Sequence, residues 1–261
     1  MASVKRNLYT VNIASYSLQM AKTDTKGEPA RSSRAPRRTP PTAASRASRR
    51  ATSAKTETPY HHGALREALL QAAERVLERD GLAGLTLRAV AREAGVSHAA
   101  PTHHFGDLTG LLSELAAVGF RQFNAAMASA CDGAATPLER ALARPKAYVA
   151  YAQAHPGMYG IMFRTERLDY SRPSLHEAAE ASFGGLANAI GALRQEQISR
   201  DTLTLDQGAA IARAWSMVHG FTMLLLDGRL EDILGRLPEG TSAEQLLEAI
   251  LKSTVATKFP P

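Results

Sequence analysis

At 261 residues and 44% apolar content the chain has room for one or two ordinary globular domains with a sizeable core. Its single cysteine, Cys131, excludes an internal disulfide and fits a reducing compartment. The net charge of +6 is uneven: residues 1–59 hold 12 of the 31 Lys and Arg but only 3 of the 25 acids, so the remainder is mildly acidic.

The first segment, VKRNLYTVNIASYSLQ, is followed by Met20, a second candidate start. No apolar core of sufficient length follows Lys5 and Arg6, so a secretory signal is not expected. Lys22 to Pro59 is mainly Ala, Ser, Thr, Pro and Arg. Such a stretch buries too little apolar surface to offset the entropy of ordering and is expected to be disordered. It reads as an arm that neutralises phosphates, although an Arg- and Ser-rich, acid-poor stretch also fits an organellar transit peptide.

The folded region is expected to begin at Tyr60. In HHGALREALLQAAERVLERDG, the residues Leu65, Leu69, Ala72, Ala73, Val76 and Leu77 recur at three and four, the pattern of an amphipathic helix ending near Asp80 at Gly81. Thr86 is a good N-cap for a short helix from Leu87. Leu87, Val90, Ala91 and Ala94 give that helix an inner stripe, with Arg88, Arg92 and Glu93 outside. Gly95 supplies a turn and Val96 plugs the angle. Ser97 is expected to cap a second short helix, His98 to about His104. The spacing of Ala91, Gly95 and Val96 suits a helix-turn-helix. The small Ala admits the second helix, the Gly turns the chain and the Val seals the corner. Two short core helices would share that spacing, but the long preceding helix, the Thr cap and the following Phe105 favour the motif. The second helix is poor in large apolar residues, as a helix that enters a major groove must be. Residues 60–110 hold five Arg and six acids, so such a reading head is not net basic and depends on placed groups.

Beyond Asp107 the pattern is helical throughout, with no useful strand alternation, no repeat and no run of eighteen apolar residues, hence no expected membrane span. LLSELAAVGFRQFNAAMASA is a long connector. PLERALARPKAYVAYAQAHP is expected to be interrupted at Pro145, and SLHEAAEASFGGLANAIGALRQEQ to be soft at Gly184-Gly185. GMYGIMF is a short helix, LDQGAAIARAWSMVHGFTMLLLDG the most apolar, and SAEQLLEAILKSTVATKF the last. Neither GxSxG, a P-loop, GxGxxG after a strand, HExxH nor CxxC occurs, so an enzyme, a cofactor and a metal site are not expected. The neighbours His103 and His104 diverge by about 100° on a helix and do not make a metal pair.

Residues 62–112 resemble the DNA-binding domain of the TetR family of transcriptional regulators, through ALLQAAERVLERDGLAGLTLRAVAREAGVS, the HHF at 103–105 and GDLTGLL at 106–112. YVAYAQAHPGMYGIMF (148–163) and WSMVHGF (215–221) resemble the WHG-type C-terminal domain of one branch of that family. The resemblance implies an all-α fold of about nine helices. A three-helix helix-turn-helix DNA-binding domain (60–106) would be joined to a larger helical effector-binding and dimerisation domain (107–261). It also implies a cytoplasmic homodimer that acts as a repressor, reads a pseudo-palindromic site in double-stranded DNA and responds to a small-molecule effector.

Thr86, Ser97, His98, Ala99, Thr102, His103 and His104 then become candidate DNA contacts. Ser97 and His98 lie where base edges are reached, Thr86 and Thr102 near phosphates, and His104 packs or supports a phosphate contact. The family often places Leu and Tyr where Pro101 and Thr102 stand, so the recognition helix is expected to be tightened or bent near Ala100. Met158, Tyr159, Met162, Phe163, Trp215 and His219 are either core or the wall of a mostly apolar effector pocket. The helices at 206–226 and 243–255 are either core or, as the resemblance favours, half of a four-helix dimer interface. The rival reading is a helical interaction module whose basic tail binds nucleic acid or an anionic surface without sequence preference.

Overall fold

The computed structural model describes residues 61–163 and 165–256, and these hold ten α-helices, a short 3-10 turn and no strand. The expectations for the basic arm lie outside the described residues. In chain order the helices are α1 (His61–Gly84), α2 (Leu87–Glu93), α3 (Ala99–Phe105), α4 (Leu108–Ser129), α5 (Pro137–Ala154), α6 (Pro156–Met162), α7 (Pro173–Arg194), α8 (Leu205–Leu226), α9 (Glu231–Leu234) and α10 (Ala243–Ala256).

Helix α1 forms because its apolar residues share one face. Leu69, Ala72, Ala73, Val76 and Leu77 are all buried, with Leu65 half-buried beside them. At Gly81 the backbone leaves the helix with φ 68° and ψ −177°, a conformation open to glycine, and one further turn follows to Gly84. Helices α2 and α3 close the head over this face through Leu85, Val90 and Phe105. Glu93, expected outside, instead accepts Arg75 Nε at 3.0 Å and Arg79 Nη1 at 2.9 Å and so ties α2 to α1. Such exposed pairs add little stability.

The division expected at 106–107 falls between α3 and α4, where Gly106 takes φ 82° and Asp107 caps α4 by accepting the Gly110 amide at 2.8 Å. The core does not stop there. From Leu111 and Leu115 it runs on through Phe120, Phe123, Tyr148, Tyr151, Met158, Met162 and Leu175. Helix α4 lies along α7, where Asn124 Nδ2 donates to the Ala178 carbonyl (3.2 Å) and Ser182 Oγ donates to Asn124 Oδ1 (2.7 Å). Helix α6 docks on α4 at Gly119, where an added Cβ would lie 2.7 Å from the Met158 sulfur.

The interruption expected at Pro145 is absent, and the Gly184-Gly185 pair lies inside a continuous helix. Helix α5 continues through Pro145, because losing one internal hydrogen bond does not outweigh a capping box at Thr136 and Glu139 and a buried face at Tyr148, Val149, Tyr151 and Ala152. Helix α7 continues through Gly184-Gly185, since Gly184 is buried against the Arg200 guanidinium, which occupies the space a side chain would need.

Helix α8 is long and apolar enough by length and composition alone to cross a membrane, and 28% of its most apolar 18-residue window is buried within the chain. Ala209, Ala212, Arg213, Ser216 and Leu224 form an exposed stripe at helical spacing, while Ala210, Ile211, Val218, Phe221 and Thr222 face inward.

Candidate functional site

Thr86 Oγ1 accepts the Ala89 amide at 3.1 Å and starts α2, so its hydroxyl is already engaged as a cap. After Ala94 the chain turns at Gly95 (φ 67°), and the Val96 amide reaches back to the Ala91 carbonyl at 3.0 Å. Val96 is half-buried and packs on the core.

The entry to α3 differs from the expectation. The helix begins at Ala99, its N-cap is His98 in helical geometry, and no side chain caps it. The Ser97 hydroxyl finds no role because the Ala100 amide pairs with the Ser97 backbone carbonyl at 3.0 Å. Pro101, two residues after the helix start, has no N–H to offer. For the same reason Pro101 does not break α3. It lies in the first turn, where amides lack helical partners anyway, and its ring is buried.

With Pro101 and Phe105 inward, Ser97, His98, Ala99, Thr102 and His103 are exposed together, and His104 is half-buried. Thr86 stands apart from this row, at the start of α2. Arg88 and Arg92 are exposed on α2 and went unmarked in the sequence reading. Their outward position followed from the stripe, and their charge was the available signal.

The second set of candidates also converges, in part. Tyr159, Phe163, Trp215 and His219 form one aromatic cluster, with Phe163 and His219 ring centroids 5.0 Å apart and Phe163 and Trp215 6.4 Å apart. Met158 and Met162 are buried where α6 meets α4 at Gly119. Tyr148 was missed. Its hydroxyl lies 3.0 Å from His219 Nδ1 and 3.1 Å from the Tyr159 hydroxyl, and Tyr159 lies 2.7 Å from the same Nδ1. Burial pushes the Tyr148 phenol up to about 12 and raises Tyr159 still further, while burial lowers His219 below its ordinary 6.5. All three groups are therefore neutral near pH 7. The cluster is a hydrogen-bonded polar group set among aromatic rings. Among the described residues no three His, Cys, Asp or Glu side chains gather as a metal site would require.

A helix-turn-helix head on a larger helical body, sharing its core, defines a two-part DNA-binding regulator. Residues 69–115 match the family described as bacterial regulatory proteins, tetR family, and residues 140–252 match the tetracyclin repressor-like C-terminal domain. The chain belongs to the TetR family of transcriptional regulators and is a DNA-binding regulator of transcription. A solved protein of unknown function from Rhodococcus sp. RHA1 is 34% identical, with a TM-score of 0.60 over 76% of this chain and 96% of that one. A bacterial regulatory protein in the tetR family from Rhodococcus RHA1 shares the fold at 15% identity, with a TM-score of 0.50 over 73% of this chain and 95% of the other. A protein assigned to the tetR family of transcription regulators in Shewanella sp. PV-4 does so at 17% identity, with a TM-score of 0.52 over 73% and 97%. No curated protein matches the chain.

Proposed function

We propose that the protein is a ligand-responsive, non-catalytic repressor that acts in the cytoplasm and binds a pseudo-palindromic operator as a homodimer. The observation that carries this reading is the exposed row Ser97, His98, Ala99, Thr102 and His103 on a short helix set across the Gly95 turn. In this reading α3 enters the major groove with His98 toward base edges and Thr102 toward a phosphate. His103 extends the row, and His104 braces it from the half-buried side. Arg88, Arg92 and the start of α2 at Thr86 meet the backbone.

In this reading the chains pair through α8, with α10 beside it. The exposed stripe of Ala209, Ala212, Arg213, Ser216 and Leu224 would meet its counterpart in a second copy. Two heads would then address half-sites about one DNA turn apart. The effector is a mostly apolar molecule held against Phe163, Trp215 and His219, with Tyr159 as the polar handle and Met158 and Met162 as the packed floor.

The test is selection of bound duplexes from random DNA with the full chain. A short palindromic consensus is the expected result. Retention of duplexes without any sequence preference would overturn the reading in favour of a module held to nucleic acid by its basic arm.

A further inference from the structure

The last residue of the recognition helix, Phe105, is held by two arginines. Its ring lies under the Arg66 guanidinium of α1, 5.7 Å from the centroid. Its backbone carbonyl accepts Arg172 Nη2 at 3.1 Å, from 67 residues further along the chain. Both arginines turn to one carboxylate, Glu114 of α4: Arg66 Nη2 pairs with Oε2, and Arg172 Nη1 lies 3.7 Å from Oε1. Glu114 is buried, with a side chain 10% exposed. A buried carboxylate in the otherwise apolar LLSELAAVGF face is costly unless it is paired, and here it is paired twice.

The backbone has been shaped around this junction. Gly110, in the first turn of α4, is buried at the contact. A Cβ there would lie 2.0 Å from the Phe105 carbonyl oxygen and 2.5 Å from Arg172 Nη2. The segment that carries Arg172 is pinned to α4 a second time, since the Asp169 amide donates to Ser113 Oγ at 2.8 Å. Arg172 Nε makes no hydrogen bond but lies 3.7 Å from Asp169 Oδ2, an ion pair that helps aim Nη2 at the Phe105 carbonyl. The C-terminal carbonyls of a helix are left open by the helix itself, and a guanidinium is well suited to fill one.

We infer that Arg172 is a positioning residue for DNA reading: with Glu114 it fixes the end of the recognition helix to α4. The segment that bears it follows α6, which carries Tyr159 of the aromatic cluster. Arg172 therefore links that segment directly to the end of α3. The inference rests on the DNA-binding reading for its consequence, but not for its geometry.

Hydrogen exchange on the full chain reads that geometry without DNA. In Arg172→Met the amides of 102–106 should exchange several-fold faster, while those of α8 stay as in the wild type. Operator affinity should fall about tenfold, the loss expected for one charge-assisted hydrogen bond. Arg172→Lys, which restores one charged donor, should recover part of both effects. Gly110→Ala should mimic Arg172→Met even though Arg172 and Glu114 remain. Wild-type exchange at 102–106 in folded Arg172→Met overturns the inference. So does acceleration spread evenly over α1, α4 and α8, which would mark a general stabilising role. If α3 loosens selectively but the wild-type chain selects no duplex sequence, the positioning stands and the DNA-binding reading fails.

Discussion

The Nδ1 atom of His219 lies 2.7 Å from the Tyr159 hydroxyl, although the two residues are sixty positions apart in the chain. Tyr148 closes a triangle on the same pair. Two phenolic protons serve three polar atoms, and the ring is neutral. The shortest contact suits Tyr159 donating to Nδ1, which leaves the ring proton on Nε2. A buried polar group with its partners in place specifies one arrangement of the body, and the same group can reorganise when a ligand competes for a hydroxyl.

The pH dependence of stability tests this neutral ring. Folding lowers the affinity of His219 for a proton, so its contribution is complete above the unfolded value of 6.5 and is lost as pH falls below it toward the depressed value. One proton changes the slope by at most about 1.4 kcal/mol per pH unit, and by less for a ring that is only part-buried. Urea titrations at pH 7.5 and pH 5.5 should show a smaller acid loss in His219→Asn than in the wild type. Parallel losses would mean that the ring takes up a proton equally well folded and unfolded.

Thr86 offers a test in the head. Its hydroxyl caps α2 through the Ala89 amide, and Thr86→Ala should cost about 1 kcal/mol of stability, read as a lower urea midpoint. Thr86→Ser keeps the acceptor and should restore most of it. If both variants melt alike, the cap does not contribute.

Helix positions, the glycine turn and the Thr86 cap were legible because each follows from local chemistry: apolar spacing, backbone freedom at Gly95, a short hydroxyl before Leu87. The entry to α3 was not. Reading Ser97 as a cap assumed a free amide three residues on, and the Ala100 amide is taken by the Ser97 carbonyl. Pro101 looked like a disruption because the helix start had been placed one residue early. Tyr148 and Arg172 were invisible for another reason. Their partners lie 71 and 67 residues away, and single-chain periodicity carries no record of such pairings. Glu114 was the one available hint, an acid among apolar neighbours.

Dimerisation is tested on the outward face of α8. Leu224 is 43% exposed at the end of the stripe that also carries Ala209, Ala212, Arg213 and Ser216, whereas Leu225 is half-buried and packs on the chain's own core. Leu224→Glu and Ser216→Arg should each shift sedimentation toward the monomer and weaken operator binding in parallel, because a monomer reads only one half-site. Full dimers with wild-type operator affinity in both variants would exclude this face as the interface.

The recognition helix itself separates two kinds of contact. His98 stands at the N-terminal end of α3, the part that reaches base edges in helix-turn-helix docking, and Thr102 lies one turn further on. A base contact discriminates, so His98→Ala should relax preference at one or two positions of each half-site and cost about 1–3 kcal/mol on the matched site. A phosphate contact carries no base information, so Thr102→Ala should weaken matched and mismatched sites by a similar factor. Ser97→Ala should leave stability nearly unchanged, because the hydroxyl makes no cap in α3. Any loss of affinity in that variant therefore reports a direct DNA contact. The measurement is a titration of each variant against the selected operator and its single-base derivatives, with a urea midpoint for each protein. Retained base preference in His98→Ala with altered preference in Thr102→Ala would exchange the two roles. Wild-type binding by both variants, with the dimer intact, would remove α3 as the reading head, because no other exposed row in the head follows a turn of this kind among the described residues.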